Sequence, residues 1–585
     1  MANRKTWMRI FAACVAVFVL SMCVVMTTIT GNGTVDANPV SFVTDEGVLL
    51  EGTLFVPHGV TAENPAPGIM VAPGGNTPHT FYYSYELELA RRGYVVLAYD
   101  YYGTVGSGMV AGGVGSSGAI AAMKYLSDLS FVDSNMLATT GHSNGGGQAL
   151  AGITCDYAKD AEKRAVVYIG CGVAGSAEQL TGVNVCGIWA NWDEAGQGMM
   201  WDTVHKDALR YPGITDLTGT TNETFEVGKM YGDLANGTGR VLYNPTSFHS
   251  ASNLAPSTIT NIINFMDGTF GRTSAIPATQ HIYLWHELAV TLAALALCMM
   301  IFPVGMLLAD SPYFAATKKE IAPATGTAKD WKFWLFLLLP GIISALLVKN
   351  SIIQGQNLMG KAPRLFNIQS TDGFIWWFFL SCLVSIAFIV VRKFIDKNFD
   401  LKGLLANFKT TPVALFKAIV LGLGAVAVPY LFGMIGERLT GGWYARLFQT
   451  YMVSIDSTRW YEFPVYFLMF FVLFAIFAGI QTNGLRLKNG KGKADYWIML
   501  IANALPALLF CGYVFGKLVF TGYTAITGRE MSRANGAMLG MLIIYFVIAA
   551  VVNKFYKKTG NVYVVAAVNA AFVTWLSINT QQFIV

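Results

Sequence analysis

The stretch "ATTGHSNGGGQAL" (138–150) sets a histidine, a serine and an asparagine inside a run of glycines. A serine hydroxyl attacks a carbonyl only when a neighbouring base takes its proton, so the chemistry in question is nucleophilic catalysis by Ser143. The flanking residues decide whether the setting fits. "MLATTG" (136–141) is a short unbroken apolar run suited to a buried strand, and "NGGGQALAGITCDYA" begins a helix. Gly141-His142-Ser143-Asn144-Gly145 thus matches the G-x-S-x-G nucleophile elbow in the strand–turn–helix context that pattern requires. Glycines two before and two after Ser143 are expected because side chains would collide where the turn brings strand and helix together. The helix start behind Ser143 offers unpaired N–H groups where an oxyanion would form. Outside that context the same residues are a flexible loop.

The elements around the elbow supply the context. Residues 40–56 alternate apolar and polar about Asp45-Glu46-Gly47, as an antiparallel hairpin does. Apolar runs follow at 68–73, 94–100, 136–141, 165–171, 183–190 and 240–244, most of them separated by helix-like stretches. Continuous apolar strands alternating with amphipathic helices predict an α/β fold, a mostly parallel sheet with helices on both faces.

From these residues the segment resembles the α/β-hydrolase superfamily, in the branch of dienelactone-hydrolase-like and serine-aminopeptidase-like esterases and peptidases. "VDSNMLATTGHSNGGGQAL" is similar to that branch's elbow region. "AYDYYGTVGSG" (98–108) resembles its Asp-x-x-Gly-x-Gly-x-Ser loop, with Val105 lengthening the glycine spacing by one. The resemblance covers about residues 40–270 and implies a triad in the chain order nucleophile, acid, base.

All seven histidines precede residue 290. His58 and His79 come before the serine, His142 lies inside the elbow facing away from it, and His281 and His286 stand at the entry of an apolar span. His205 and His249 remain, and His249 follows the last strand, where the resemblance places the base. The acid is expected after the strand 183–190, in "NWDEAG": Asp193 first, then Glu194, then Asp202. The oxyanion donors are expected to be the N–H groups of Asn144 and Gly75, with Gly74 and Asn76 as alternatives; Pro73-Gly74-Gly75 stands where many relatives carry His-Gly. The segment "GMMWDTVHKDALRYP" (198–212) either roofs an acyl pocket or merely packs on the surface. The spacing of Glu287 from His281 and His286 is wrong for a zinc helix, which leaves an interfacial anchor. No cofactor and no metal is expected.

Composition sets these residues in a wider frame. The chain has 585 residues, 54% of them hydrophobic and 13% charged, too apolar for a soluble protein of this length. Apolar runs at 10–29, 285–308, 332–349, 374–391, 412–435, 463–482, 496–517, 537–552 and 561–579 read as nine spans. The expected organisation is an uncleaved anchor (1–31), an α/β-hydrolase domain (32–280) and an all-α polytopic domain (281–585). Residues 31–280 hold 11 Lys and Arg against 23 Asp and Glu, which leaves no footprint for nucleic acid. Loops on one side of the threading hold 18 Lys and Arg against about 9 on the other. That bias places the N-terminus in the cytoplasm and the hydrolase domain outside, in a multi-pass cell-membrane protein. Cys171 and Cys186 are either bridged or free buried thiols.

The expected partners are a small or lipid-like ester substrate and the bilayer. The expected activity is ester or amide cleavage through an acyl-enzyme. Acyl transfer on the same triad is the alternative, and a transport or sensing protein with a ligand-binding hydrolase-like domain is the second.

Overall fold

The computed structural model describes residues 4–110, 113–195, 213–221, 223–324, 326–362, 365–397, 399–488, 492–526 and 528–579. The segment 198–212, with Asp202 and His205, falls outside the described residues.

β1 (Val35–Val43) and β2 (Leu49–Pro57) form the antiparallel hairpin, with Gly47 at φ 77° in its turn. β2 pairs antiparallel with β4 (Val95–Tyr99). β3 (Ala66–Ala72), β4, β5 (Val132–His142), β6 (Lys163–Ile169), β7 (Val183–Ile188) and β8 (Arg240–Tyr243) are mutually parallel. The order across the sheet is β1-β2-β4-β3-β5-β6-β7-β8. Each apolar run in this part of the sequence became one of these strands.

The pleat sends Ile69 and Val71 to one face of β3, and Met70 and Ala72 to the other. On the first face lie α2 (Tyr83–Ala90) and the helix Pro256–Phe270; on the second lie α3 (Ala119–Ser127) and α4 (Gly145–Thr154). Strand order reverses at β3, which has β4 on one side and β5 on the other. A crevice therefore opens at the carboxyl ends of β3 and β5, where such sheets bind ligands.

Among the described residues, eight helices are long and apolar enough to cross a membrane: α1 (Arg4–Ile29), Tyr283–Ala309, Trp331–Met359, Gln369–Ile395, Pro412–Leu439, Glu462–Gly484, Lys493–Thr521 and Ala534–Thr559. The ninth expected span is the 17-residue helix Val562–Ile578, shorter than a full crossing and almost wholly buried. A helix apolar on all sides has to sit inside the bundle, and this one does. α1 packs as a member of the same bundle: Thr28 Oγ1 lies 3.1 Å from His286 Nδ1, and a Cβ on Gly436 would come within 2.7 Å of the Phe18 ring.

The basic loops gather at one end of the bundle. There Lys558 pairs with Asp310, Lys557 with Asp495, and Arg486 reaches the Ala322 carbonyl. The sheet sits on the opposite end. Every residue of α2 is buried, because α2 lies between the sheet and the bundle. Its Glu88 pairs with Arg91 and Arg92 and accepts the backbone N–H groups of Ile282 and Tyr283, capping the helix that starts there. His286 of that helix stacks on Tyr83 at 3.9 Å between ring centroids.

The cysteines are free. A Cys171–Cys186 bridge does not form because Cys186 packs on the α2 face of the sheet and Cys171 on the α4 face.

Candidate active site

Ser143 directly follows β5 with φ 53°, a left-handed conformation that costs a non-glycine residue free energy. The surrounding crowding holds it there. A Cβ on Gly141 would come within 2.1 Å of the Gly145 carbonyl oxygen, and one on Gly145 within 2.4 Å of the Ala72 carbonyl oxygen. Both neighbours are backbone and cannot yield, so the two glycines are steric requirements of the turn. The turn lifts Ser143 Oγ into the crevice, 3.0 Å from His249 Nε2.

His249 follows β8 and is buried. Its Nδ1 lies 2.9 Å from both Asp193 Oδ1 and Asp193 Oδ2, and Asp193 follows β7 with no exposed surface. Ser143, His249 and Asp193 thus form one hydrogen-bonded chain at the carboxyl edge of β5, β7 and β8. Burial works against the imidazolium, but the Asp193 carboxylate, its hydrogen bond and Glu194 outweigh it and hold His249 above its usual value.

Glu194, the second acid candidate, does something different. Its Oε2 accepts the backbone N–H of His249 at 3.0 Å, so it fixes the main chain of His249 rather than its ring. Burial, reinforced by the neighbouring Asp193 charge, pushes its carboxyl up to about 7. Its own carbonyl accepts Thr524 Oγ1 from a loop of the bundle at 2.7 Å.

Gly75 and Asn144 face each other across the crevice mouth, with a Cβ on Gly75 placed 3.7 Å from Asn144 Cβ. Among the described residues no backbone acceptor engages either amide. Gly74 is unsuited to the role because its N–H donates to Tyr82 Oη at 2.6 Å. That phenol also lies 3.3 Å from His142 Nδ1, and His142 Nε2 lies 3.3 Å from the His249 carbonyl. His142 therefore points away from Ser143 Oγ and links the loop after β3 to the loop of the base. The other described histidines are engaged elsewhere: His58 with Asp36, His79 with Asp100 and Thr53, His281 with Ala278, His286 with Thr28. The extra residue in the loop after β4, Val105, is absorbed in a left-handed conformation at φ 48°.

Sequence reasoning missed the bundle's share of the site. The crevice is a cavity of about 750 Å³ whose far wall comes from Thr371, Thr450, Tyr451, Gly536, Met541 and Ser577. A small hairpin, Arg446–Leu447 paired with Thr450–Tyr451, rises between two helices of the bundle. Its Gln449 Nε2 donates to Ser250 Oγ at 2.8 Å, beside the base, while Arg446 pairs with Glu287. The alternation in "ARLFQTYM" was the available signal.

No family model matches the chain, and no curated protein matches it. Hydrolases and esterases are among the solved structures it resembles. A dienelactone hydrolase-like promiscuous phosphotriesterase from metagenomic libraries is 18% identical, over 45% of this chain and 98% of that one, with a TM-score of 0.26. An esterase from Pyrococcus furiosus is 14% identical over 41% and 94%, with a TM-score of 0.28. The glucuronoyl esterase from Solibacter usitatus is 13% identical over 41% and 83%, with a TM-score of 0.30. Of the first matched structures the chain spans less than half, among them 43% of a hypothetical protein from Pseudomonas aeruginosa and 28% of a dipeptidyl peptidase from Porphyromonas gingivalis.

Proposed function

We propose that the chain is a membrane-embedded serine hydrolase that cleaves esters through an acyl-enzyme. One observation carries the reading: His249 bonds Ser143 through one ring nitrogen and buried Asp193 through the other. In the reaction Ser143 Oγ attacks the ester carbonyl as His249 Nε2 takes its proton. The oxyanion is held by the N–H groups of Asn144 and Gly75, and Asp193 stabilises the imidazolium. His249 returns the proton to the departing alkoxide; water, deprotonated by His249, then releases the acid and frees Ser143.

The bundle belongs in a bilayer on this reading. Leu284, Leu288, Leu292, Leu295 and Met299 form an exposed apolar stripe along one face of Tyr283–Ala309, a surface suited to lipid. With the basic loops in the cytoplasm, the sheet domain stands outside. The bundle's presence in the cavity wall favours acyl transfer as a second reading, since an acceptor seated there would replace water.

Fluorophosphonate labelling of the full-length protein in membranes tests the proposal. Labelling should occur on the wild type and vanish in both Ser143→Ala and His249→Ala. Absence of labelling on a folded wild type overturns it.

A further inference from the structure

A second cavity lies wholly within the bundle, between the helices Trp331–Met359, Gln369–Ile395, Glu462–Gly484 and the two that follow. It shares Phe374 and Met541 with the wall of the Ser143 cavity, so those two side chains are the partition between them. Its lining runs along a single helix from Phe374 to Arg392, 18 residues or about 27 Å at the α-helical rise, and encloses about 70 Å³, so a long chain occupies it only as side chains yield. That length is close to the ~30 Å thickness of a hydrocarbon core.

The chemistry of its walls selects a guest. Phe336, Phe378, Phe388, Phe474 and Phe477 all line it. Several of the polar side chains along it already have partners within the bundle. Ser381 and Ser385 donate to carbonyls one turn back, at 2.9 Å each, and Gln481 and Asn503 exchange two amide hydrogen bonds at 3.2 Å. Arg392, at the far end, is taken by Asp396 and the Gly484 carbonyl. Apart from the hydroxyls of Ser344 and Tyr545, an ion or a polar solute would find few free partners among the described residues, whereas a hydrocarbon chain needs none. On the Ser143 side of the partition, a Cβ on Gly536 would meet no atom within 4 Å, so the glycine leaves open room that packing does not demand.

We propose that this slot is an acyl-chain site: the substrate is a lipid ester with its carbonyl at Ser143 and one long hydrocarbon chain passing between Phe374 and Met541 into the bundle. The inference rests on the serine-hydrolase reading and adds its substrate class. Met541, unbranched and flexible, can move aside to admit the chain. A lipid in the adjoining leaflet already lies with its ester at the interface and its tail in the hydrocarbon, so it enters without reversing.

The test uses full-length protein in lipid nanodiscs and two fluorophosphonates, hexadecyl and butyl, each with a diazirine at the chain end. After labelling, irradiation and proteolysis locate the chain end. The expected result is cross-links from the hexadecyl probe to residues 378–392 or 474–484, beyond the partition, and none from the butyl probe to either segment. Labelling at Ser143 with hexadecyl cross-links confined to the sheet domain or to lipid overturns the slot and leaves the hydrolase intact. No labelling overturns both. Ser385→Phe, which fills the slot away from the reacting atoms, should slow hexadecyl labelling about tenfold or more and leave butyl labelling unchanged. Equal slowing of both probes, or of neither, counts against the slot.

Discussion

Glu194→Gln removes a carboxyl that sits fully buried beside the base, and its consequence can be worked through with a sign. Unfolded, the group ionises near 4.5; folded, burial and Asp193 move it to about 7. Between those values the native chain keeps a proton that the unfolded chain has released, so stability falls as pH rises through the window. At about 1.4 kcal/mol per unit over some two and a half units, the loss is about 3 kcal/mol, complete above the folded value and absent below 4.5. Glutamine keeps an oxygen for the His249 N–H and never ionises. The variant should therefore match the wild type near pH 4.5 and exceed it in melting temperature at pH 8, the gap opening between the two. Other buried acids, such as Glu86, contribute equally to both proteins and cancel in the difference. Thermal unfolding of the two purified proteins across that range is the assay. Parallel melting curves at every pH would refute the placement of an ionisable, desolvated Glu194 against the base.

Asp193→Asn should lower the labelling or turnover rate by about 10⁴ while the protein stays folded, because the imidazole loses both its orientation and its counter-charge. Wild-type labelling should rise with pH through a value above 6.5, since His249 acts only when neutral and Asp193 holds its proton on; a profile that is flat from pH 5 to 8 contradicts this. Gly145→Ala should abolish labelling and cost several kcal/mol, about what an unrelieved backbone overlap costs, read as loss of the folded fraction on size exclusion. Single cysteines at Asn64 and Lys329, in a background without native cysteines, should react with an impermeant maleimide on intact cells only at Asn64; the reverse pattern inverts the topology.

The sheet was legible because its strands are contiguous apolar runs bounded by turn residues, and the elbow because Gly141 meets Gly145 four residues on, although Gly145 itself is crowded by Ala72 of β3. His249 needed the resemblance as well, for its place after β8 is a matter of topology. The rest was set by distant contacts. Gln449 meets Ser250 across 199 positions, and Thr524 meets Glu194 across 330; no local pattern encodes either. Asp193 and Glu194 are adjacent in sequence and equal in charge, yet one takes the ring of His249 and the other its main chain. The opposite orientations of Cys171 and Cys186 depend on how the chain leaves β6, beyond the reach of a strand-by-strand reading.

The burial of α2 between sheet and bundle bears on how the molecule is made. A ribosome delivers residues 32–280 before any helix beyond 283 exists, and domains ordinarily fold as they emerge. Here the outer side of α2, with Tyr83 and the charges of Glu88, has no cover until Tyr283–Ala309 arrives. The sheet half must wait, partly assembled, for the rest of the chain. Cut at residue 280 and produced alone, it should aggregate, and co-production of the missing helices should rescue it.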